Sequence, residues 1–335
     1  MGCWISLHTR FVLTEFSIIE QYFKGATGKR DDVRVGIGDD GAVMRVPAGM
    51  ELVVVMDTLV SGIHFFEDCN PADIAYKSLA VNLSDLAAMG AQPAWATLSL
   101  TRPTLDDIWL QSFVHGFSSL ANEYNIQLIG GDLSRGPLSV TVQMHGFVPQ
   151  GQALLRSGAA VGDAVFVTGS LGDAGLALRL MKNDRLDKKN GHHVYLQHRL
   201  QRPTAQVDAG MALRQIASSM IDISDGLVAD LGHVLRASAV GARVDVDLLP
   251  VSMSYEAVVS ELSGTIDQYQ LALSAGDDYE LCFTVAEDRI EALVQFFSGA
   301  GLSYHRIGVV EEGDDLRLLL QGNDYVLEHQ GFRHF

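Results

Sequence analysis

The chain has 335 residues, 47% of them apolar, enough to fill two cores of ordinary domain size. Its 41 Asp and Glu against 24 Lys and Arg give a formal charge of −17, which argues against a protein that reads nucleic acid or an anionic membrane through a basic field. Three scattered cysteines, Cys3, Cys69 and Cys282, make neither a disulfide framework nor a zinc knuckle, and point to a reducing cytoplasm. The opening "MGCWISLHTRFVLTEF" carries Arg10 inside its mildly apolar part and makes a poor signal peptide. Apolar runs elsewhere stay short of the roughly 18 residues that a spanning helix needs.

A first helix is predicted from Thr14 to Phe23, followed by "KGATGKRDDVR" (24–34), a polar segment expected to be a mobile closing loop. "ELVVVMD" (51–57) is a buried strand, and Asn70 with Pro71 opens a helix through Met89. "WATLSLT" (95–101) is a strand, a helix follows from Thr104 to Tyr124, and "IQLIG" (126–130) and "LSVTVQMHGFV" (138–148) are two further strands. This alternation predicts a mixed sheet with helices on one face. The Gly- and Ala-rich "PQGQALLRSGAAVGD" places a domain boundary near residue 150, dividing the chain into 1–150 and 151–335. The second part opens with strand "AVFVTGS" (164–170) and the turn "GSLGDAG" into a helix, then a polar loop "KNDRLDKKNGHH" (182–193). Strand "MIDIS" (220–224), a helix from Asp225, strand "ARVDVDL" (242–248) and the strand pair "LALSAGDD" and "YELCFTV" (271–285) follow, and a last helix with two strands closes the fold. The fold class is α/β in two domains.

Asp40, Asp57, Asp85, Asp132, Asp222, Asp225 and Asp277 share an address: each lies at or near the end of an apolar element, where α/β folds keep their ligands. Gly-Asp-Asp recurs at 38–40 and 276–278. Taken singly, an Asp at such a place is an ordinary cap or turn residue. Seven of them, with almost no Lys or Arg near in sequence, ask for another source of positive charge. Asp85 is the hardest to explain structurally, because "SLAVNLSDLAAMGA" is apolar nearly all round and a buried carboxylate is costly unless it is paired or on a metal. Carboxylates without His or Cys company suit Mg²⁺, which is recruited together with phosphates and would let an acidic cleft accept ATP. "GSLGDAG" lacks the P-loop lysine, so Arg135 and Arg156 are the basic candidates for phosphate oxygens, and His64 is a candidate for touching substrate.

The ordered motifs "GIGDD", "DTLVSGIHF", "KSLAVNLSDLAAMGAQPAW", "LIGGDLSRGPLSVT", "VTGSLGDAG", "IDISDGLVADLGH", "SAGDDYELCFT" and "GFRHF" resemble those of the thiamine-monophosphate kinases. That family lies in the superfamily of the aminoimidazole ribonucleotide synthetases. The resemblance runs from about Glu15 to Phe335 and implies ATP-dependent phosphorylation of thiamine monophosphate to thiamine diphosphate by in-line transfer. It implies several Mg²⁺ ions on Asp40, Asp57, Asp85, Asp132, Asp222 and Asp225, with Asp85, Asp132 and Asp222 central to catalysis. Gly131, Asp132, Arg156 and Ser224 would meet ATP, and His64, Asp277 and His329 the thiamine phosphate. The implied assembly is a homodimer whose N-terminal mixed sheets join into an intersubunit barrel, beside a C-terminal α/β domain. Departures from the family pattern are Val55 and Met56 in place of hydroxyl side chains, Ala275 for a second glycine, His329 for a tryptophan, and an N-terminal extension of about a dozen residues. Two alternatives stand beside this reading. One is another ATP-using synthetase of the superfamily, of selenophosphate or hydrogenase-maturation type; the other is a non-catalytic acidic protein that binds divalent ions for structure.

Overall fold

The computed structural model describes residues 14–262 and 267–327. Helix α1 (Glu15–Ile18) starts at Thr14, whose hydroxyl accepts from Ser17 N while Ser17 Oγ accepts from Thr14 N, and it runs on as a wider turn to Phe23. Strands β1 (Val33–Val35) and β2 (Val43–Met44) pair antiparallel. Then come β3 (Met50–Val60), α2 (Pro71–Ala88), β4 (Gln92–Thr101), α3 (Asp107–Glu123), β5 (Gln127–Ser134) and β6 (Ser139–Pro149). Asn70 Oδ1 accepts from Ala72 N with Pro71 in the first turn of α2, and Asp106 accepts from Trp109 N at the start of α3. The sheet order is β3-β6-β4-β5, in which β4 and β5 run parallel and the other neighbours antiparallel.

Strand β3 alternates as a one-sided sheet requires, whereas β4 is buried without a break from Pro93 to Ala96, where Trp95, Ile129 and Phe147 pack with Val33 and Met44 of the β1–β2 pair. On β3, Val53 and Leu59 are buried, whereas Met50, Leu52, Val54 and Met56 stand exposed on the opposite face. Gly131 on β5 cannot be replaced freely: a Cβ there would lie 1.9 Å from the Leu98 carbonyl oxygen of β4.

The second half contains β7 (Ala164–Thr168), α4 (Asp173–Lys182), α5 (Gly191–Gln201), α6 (Val207–Leu213), β8 (Ser219–Asp222), α7 (Leu227–Ser238) and β9 (Gly241–Asp245). It continues with α8 (Met253–Glu261), α9 (Gln270–Ser274), β10 (Leu281–Val285), α10 (Ile290–Ala300), β11 (Tyr304–Glu311), β12 (Leu316–Leu320) and β13 (Asn323–Asp324). Among the described residues these strands form one sheet in the order β13-β12-β9-β11-β7-β10-β8. Strands β7, β8 and β10 are buried throughout, as expected where both faces are covered.

Helix α2 joins the halves. Its apolar side chains, Leu79, Leu83 and Leu86 among them, share one core with Ala209, Leu213, Met220 and Phe283 of the second half. That explains a helix apolar nearly all round: it has neighbours on every side. Close glycine contacts hold it at both ends, where a Cβ on Gly116 of α3 would lie 2.1 Å from the Ala72 carbonyl oxygen and one on Gly210 of α6 2.1 Å from that of Ala87.

Three expectations are corrected. Residues 24–34 are no free closing loop: Gly28 N donates to Asn122 Oδ1, Arg30 N to Gln127 Oε1 and Trp95 Nε1 to Asp32, while Thr27 Oγ1 accepts from Leu128 N. The segment 271–278 is no strand; it is α9 and the turn after it, and β10 pairs instead with β7 and β8. The helix predicted from Asp225 begins at Leu227, after Gly226 at φ 109°.

Candidate active site

The β8–α7 turn and the α9–β10 turn build one corner of the site together. Asp277 N donates to Ser224 O and Tyr279 N to Ile223 O, each at 2.8 Å. Gly276, at φ 71°, sits where a Cβ would lie 2.3 Å from the Ser224 carbonyl oxygen. Ala275 keeps an ordinary helical backbone and abuts Gly175, so its methyl group is accommodated.

Three of the predicted carboxylates gather here. Asp222, at the end of β8 and 5% exposed, accepts from Ser84 Oγ at 2.8 Å, which ties α2 to the second sheet. Asp85 is the next residue on α2, and its carboxyl group shares a hydrogen bond with that of Asp57 on β3. Burial, then the charges of Asp222 and Asp57, push Asp85 up to about 8. Burial raises Asp222 to about 6 against the Ser84 hydrogen bond, and raises Asp57 as well. Arg156 lies close enough to oppose the rise at both Asp85 and Asp222. These acids crowd one another, with Arg156 and His64 offsetting the rise only in part, and every donor atom in the set is a carboxylate oxygen, the chemistry of a hard-cation site. Among the described residues, no three His, Cys, Asp or Glu side chains stand close enough to enclose one ion by themselves. Carboxylate oxygens are the donors that Mg²⁺ takes alongside water and phosphate oxygens.

The other predicted residues divide between two cavities. Asp40, Gly131 and Asp132 line one of about 950 Å³, together with Gly38, Leu98 and Phe16. Asp132 Oδ2 accepts from Ser134 Oγ at 2.7 Å, and Asp39 Oδ1 from Asp40 N at 2.9 Å. Gly131, Leu98, Val142 and Asp57 lie in one row across the four strands, so the larger cavity and the acid cluster sit at the same level of the sheet. Asp132, one residue further, belongs to the row of Ser99, Thr141 and Thr58 on the exposed face. His64 and Asp277 line a second cavity, of about 100 Å³, with Lys77, Phe65, Cys69 and Met181. The His64 Nδ1 accepts from Val60 N at 2.9 Å, which places the proton of the neutral ring on Nε2. Val55 packs on the core, and Met56 stands on the exposed face. His329 and the N-terminal extension lie outside the described residues.

Four residues not singled out from sequence belong to this corner. Asp230, in the first turn of α7, accepts from both Ser224 N and Asp225 N at 3.0 Å, and burial followed by the Asp222 charge raises it to about 7. Ser84 holds Asp222. Lys77 and Tyr279 both reach Asp277 Oδ1, at 2.9 and 3.1 Å. The only sequence signal for Lys77 is a lysine set in an otherwise apolar helix, two turns before Asp85 on the same side.

A second buried network supports the site from behind. Asp278 accepts twice from Gly172 N, at 3.0 Å, and Glu280 accepts from Thr168 Oγ1 and from Arg199 at 2.7 and 2.8 Å. Arg199 also faces Asp173, whose carboxylate takes Ser252 Oγ. Burial alone would lower the Arg199 guanidinium; Glu280, Asp278 and Asp173 outweigh it and raise it.

This architecture, a one-sided mixed sheet joined by a buried helix to an α/β layer with acids at the seam, places the chain among the AIR synthase related proteins. The N-terminal domain model of that family matches residues 38–148 and its C-terminal domain model residues 160–321. Within that class the chain belongs to the thiamine-monophosphate kinase family. It is 47% identical over 328 residues to the thiamine-monophosphate kinase of Escherichia coli strain K12, covering 96% of this chain and 98% of the relative. The crystal structure of thiamine-monophosphate kinase from Stenotrophomonas maltophilia K279a superimposes with a TM-score of 0.84 at 45% identity, over 93% of this chain and 98% of that one. A structure of AaThiL complexed with AMPPCP and TMP gives a TM-score of 0.76 at 30% identity, over 96% and 97%.

Proposed function

We propose that this enzyme transfers the γ-phosphoryl group of ATP to the phosphate of thiamine monophosphate, giving thiamine diphosphate and ADP. The observation that carries the reading is the Asp57–Asp85–Asp222 cluster at the seam. It is level with the larger cavity through Gly131 and within electrostatic reach of the smaller one through His64. The relatives named for this reaction, and a neighbour held with AMPPCP and TMP, support it. An oxygen of the acceptor phosphate attacks the γ-phosphorus in line while the bond to the β–γ bridging oxygen breaks and ADP leaves. That oxygen is already ionised at neutral pH, so no strong general base is required and catalysis rests on position and charge.

In this reading the Gly131 backbone, Asp132, Arg156 and Ser224 hold ATP, and His64, Asp277 and His329 hold the acceptor. Asp40, Asp57, Asp85, Asp132, Asp222 and Asp225 would hold several Mg²⁺ ions, which when bound neutralise phosphate charge and draw ATP into an acidic cleft. The chain's own share is to fix these oxygens beforehand: Ser84 orients Asp222, and the Asp230 carboxylate pins the 224–225 backbone. We further propose a division near residue 150, between the end of β6 and the start of β7. The exposed apolar row Met50, Leu52, Val54 and Met56 on β3 supports a homodimer closed through the N-terminal sheets. Cys69 and Cys282 are free thiols, which suits a cytoplasmic setting, and no helix among the described residues is long and apolar enough to cross a membrane.

The test is an assay of purified protein with ATP, Mg²⁺ and either thiamine monophosphate or free thiamine, with products separated. Thiamine diphosphate and ADP should form from the monophosphate only, and chelation should stop the reaction without loss of helical circular dichroism. Equal turnover of free thiamine refutes the assignment. Loss of fold on chelation supports a structural metal instead.

A further inference from the structure

Lys77 is buried in α2, its side chain only 4% exposed, yet it lines the cavity shared with His64 and Asp277. A buried ammonium is uncommon and costly unless its charge and its three donors are met. The charge is met by Asp277 Oδ1 at 2.9 Å, but that contact lacks hydrogen-bond alignment, and the ammonium has no hydrogen-bond acceptor among the described residues. Buried donors left without acceptors next to a cavity call for an acceptor that arrives with a ligand.

The loop carrying Asp277 is built at some cost. Asp277 and Tyr279 both take left-handed backbone conformations, φ 60° and 51°, uncommon for residues with side chains. The strain is held by the bonds to Ser224 O and Ile223 O and by the double acceptance of Gly172 N at Asp278. A simple tie between α2 and this loop would need neither the strain nor a place on the cavity wall. Asp277 Oδ1 is turned to Lys77 and to the Tyr279 hydroxyl, so it compensates the ammonium and is itself partly screened from an entering anion.

The cavity volume of about 100 Å³ equals roughly three water molecules' share of liquid, room for a phosphate-sized group. A phosphate offers several acceptor oxygens to an ammonium whose donors lack them. We propose that Lys77 binds the phosphate of the acceptor substrate, with Asp277 as its positioning partner, and that this contact makes the enzyme select a phosphorylated acceptor over the free alcohol. The proposal rests on the phosphotransfer reading above for the identity of the acceptor.

The experiment compares wild type, Lys77→Met and Lys77→Arg by calorimetric titration with thiamine monophosphate and with free thiamine, without ATP, alongside KM for each substrate. Lys77→Met should weaken thiamine monophosphate roughly 10- to 100-fold, the range for a hydrogen bond to a charged group. The Kd of free thiamine and the KM of ATP should stay within about twofold, and Lys77→Arg should restore part of the preference. Should Lys77→Met fail to fold, Lys77→Gln removes the charge at similar length and keeps a polar end, and is read in the same way. An unchanged ratio of the two Kd values in the folded variant overturns the proposal. Because that ratio is read without turnover, it stands apart from the kinase assay: a wild type that binds the monophosphate through Lys77 but does not phosphorylate it would sink the reaction and leave the anion site intact.

Discussion

Asp85→Asn should make the metal-free protein more stable while disabling the enzyme. The folded-state pKa of Asp85, about 8, lies about 4 units above its ordinary 3.8. Between those values the folded state holds a proton that the unfolded state has released, so stability falls as pH rises through that window. At pH 7 the difference is about 3 units, on the order of 4 kcal/mol at 1.36 kcal/mol per unit. Asparagine carries no such penalty. Its amide can still donate to Asp57, so at most the hydrogen bond shared with that residue, about 1 kcal/mol, is lost. The net gain at pH 7 is about 3–4 kcal/mol, and it should shrink toward pH 5, where the wild-type penalty is only about one unit. Urea melts of both proteins in chelator at pH 5, 6, 7 and 8 measure the trend. With Asp85 in its proposed role as a Mg²⁺ ligand, turnover should fall at least about 100-fold. A variant that melts below wild type without metal yet turns over normally would show that Asp85 belongs to the scaffold.

Arg199→Met leaves Asp173, Asp278 and Glu280 buried without their cation and should cost about 3–5 kcal/mol at pH 8. Since the stranded acids then titrate higher, the deficit in urea melts should narrow at pH 5; a deficit that does not change with pH would refute the charge argument. Gly131→Ala drives a methyl group against the Leu98 carbonyl oxygen and should lower stability by about 3 kcal/mol and raise the KM for ATP; a neutral result in melts and kinetics would mean that β4 and β5 part easily. Met56→Lys, at a position 62% exposed, should leave monomer stability within about 0.5 kcal/mol but turn a dimer into a monomer in sedimentation. A dimer that persists would place the interface elsewhere.

The element order could be read from the chain because local rules write it there: Asn70–Pro71 opens α2, and apolar runs bounded by turns give β3, β4 and β6. The acids at element ends were equally visible. Which of them meet was not. Asp57 faces the helices and Asp132 the open face because of strand phase and the register shift between Ala96 and Thr97 on β4, which no single strand reveals. Ser84 and Asp222 touch across 138 residues, and Arg30 and Gln127 across 97, so a segment that reads as loose is in fact tied down. Helix α5 leaves little trace in the sequence because only His193, Leu196 and Leu200 are buried along it, too sparse a stripe among polar residues to show a helical period.

Helix α2, locked at both ends by glycine contacts, behaves as a fixed ruler. Lys77 and Asp85 stand eight residues apart on it, about 12 Å along the axis, and neither end can slide without pressing a backbone into a carbonyl. The far wall of the cavity beside Lys77 is built from other helices. Leu178, Met181 and Leu200 come from α4 and α5, which pack with Leu196, Tyr255 and Val258 in a small core of their own. That core is itself tied to the site, through Arg199 of α5 on Glu280 and Arg202 on Asp73 of α2. Substitutions within that core should change the shape of the cavity wall while the spacing between Lys77 and Asp85, set by α2 alone, stays as it is.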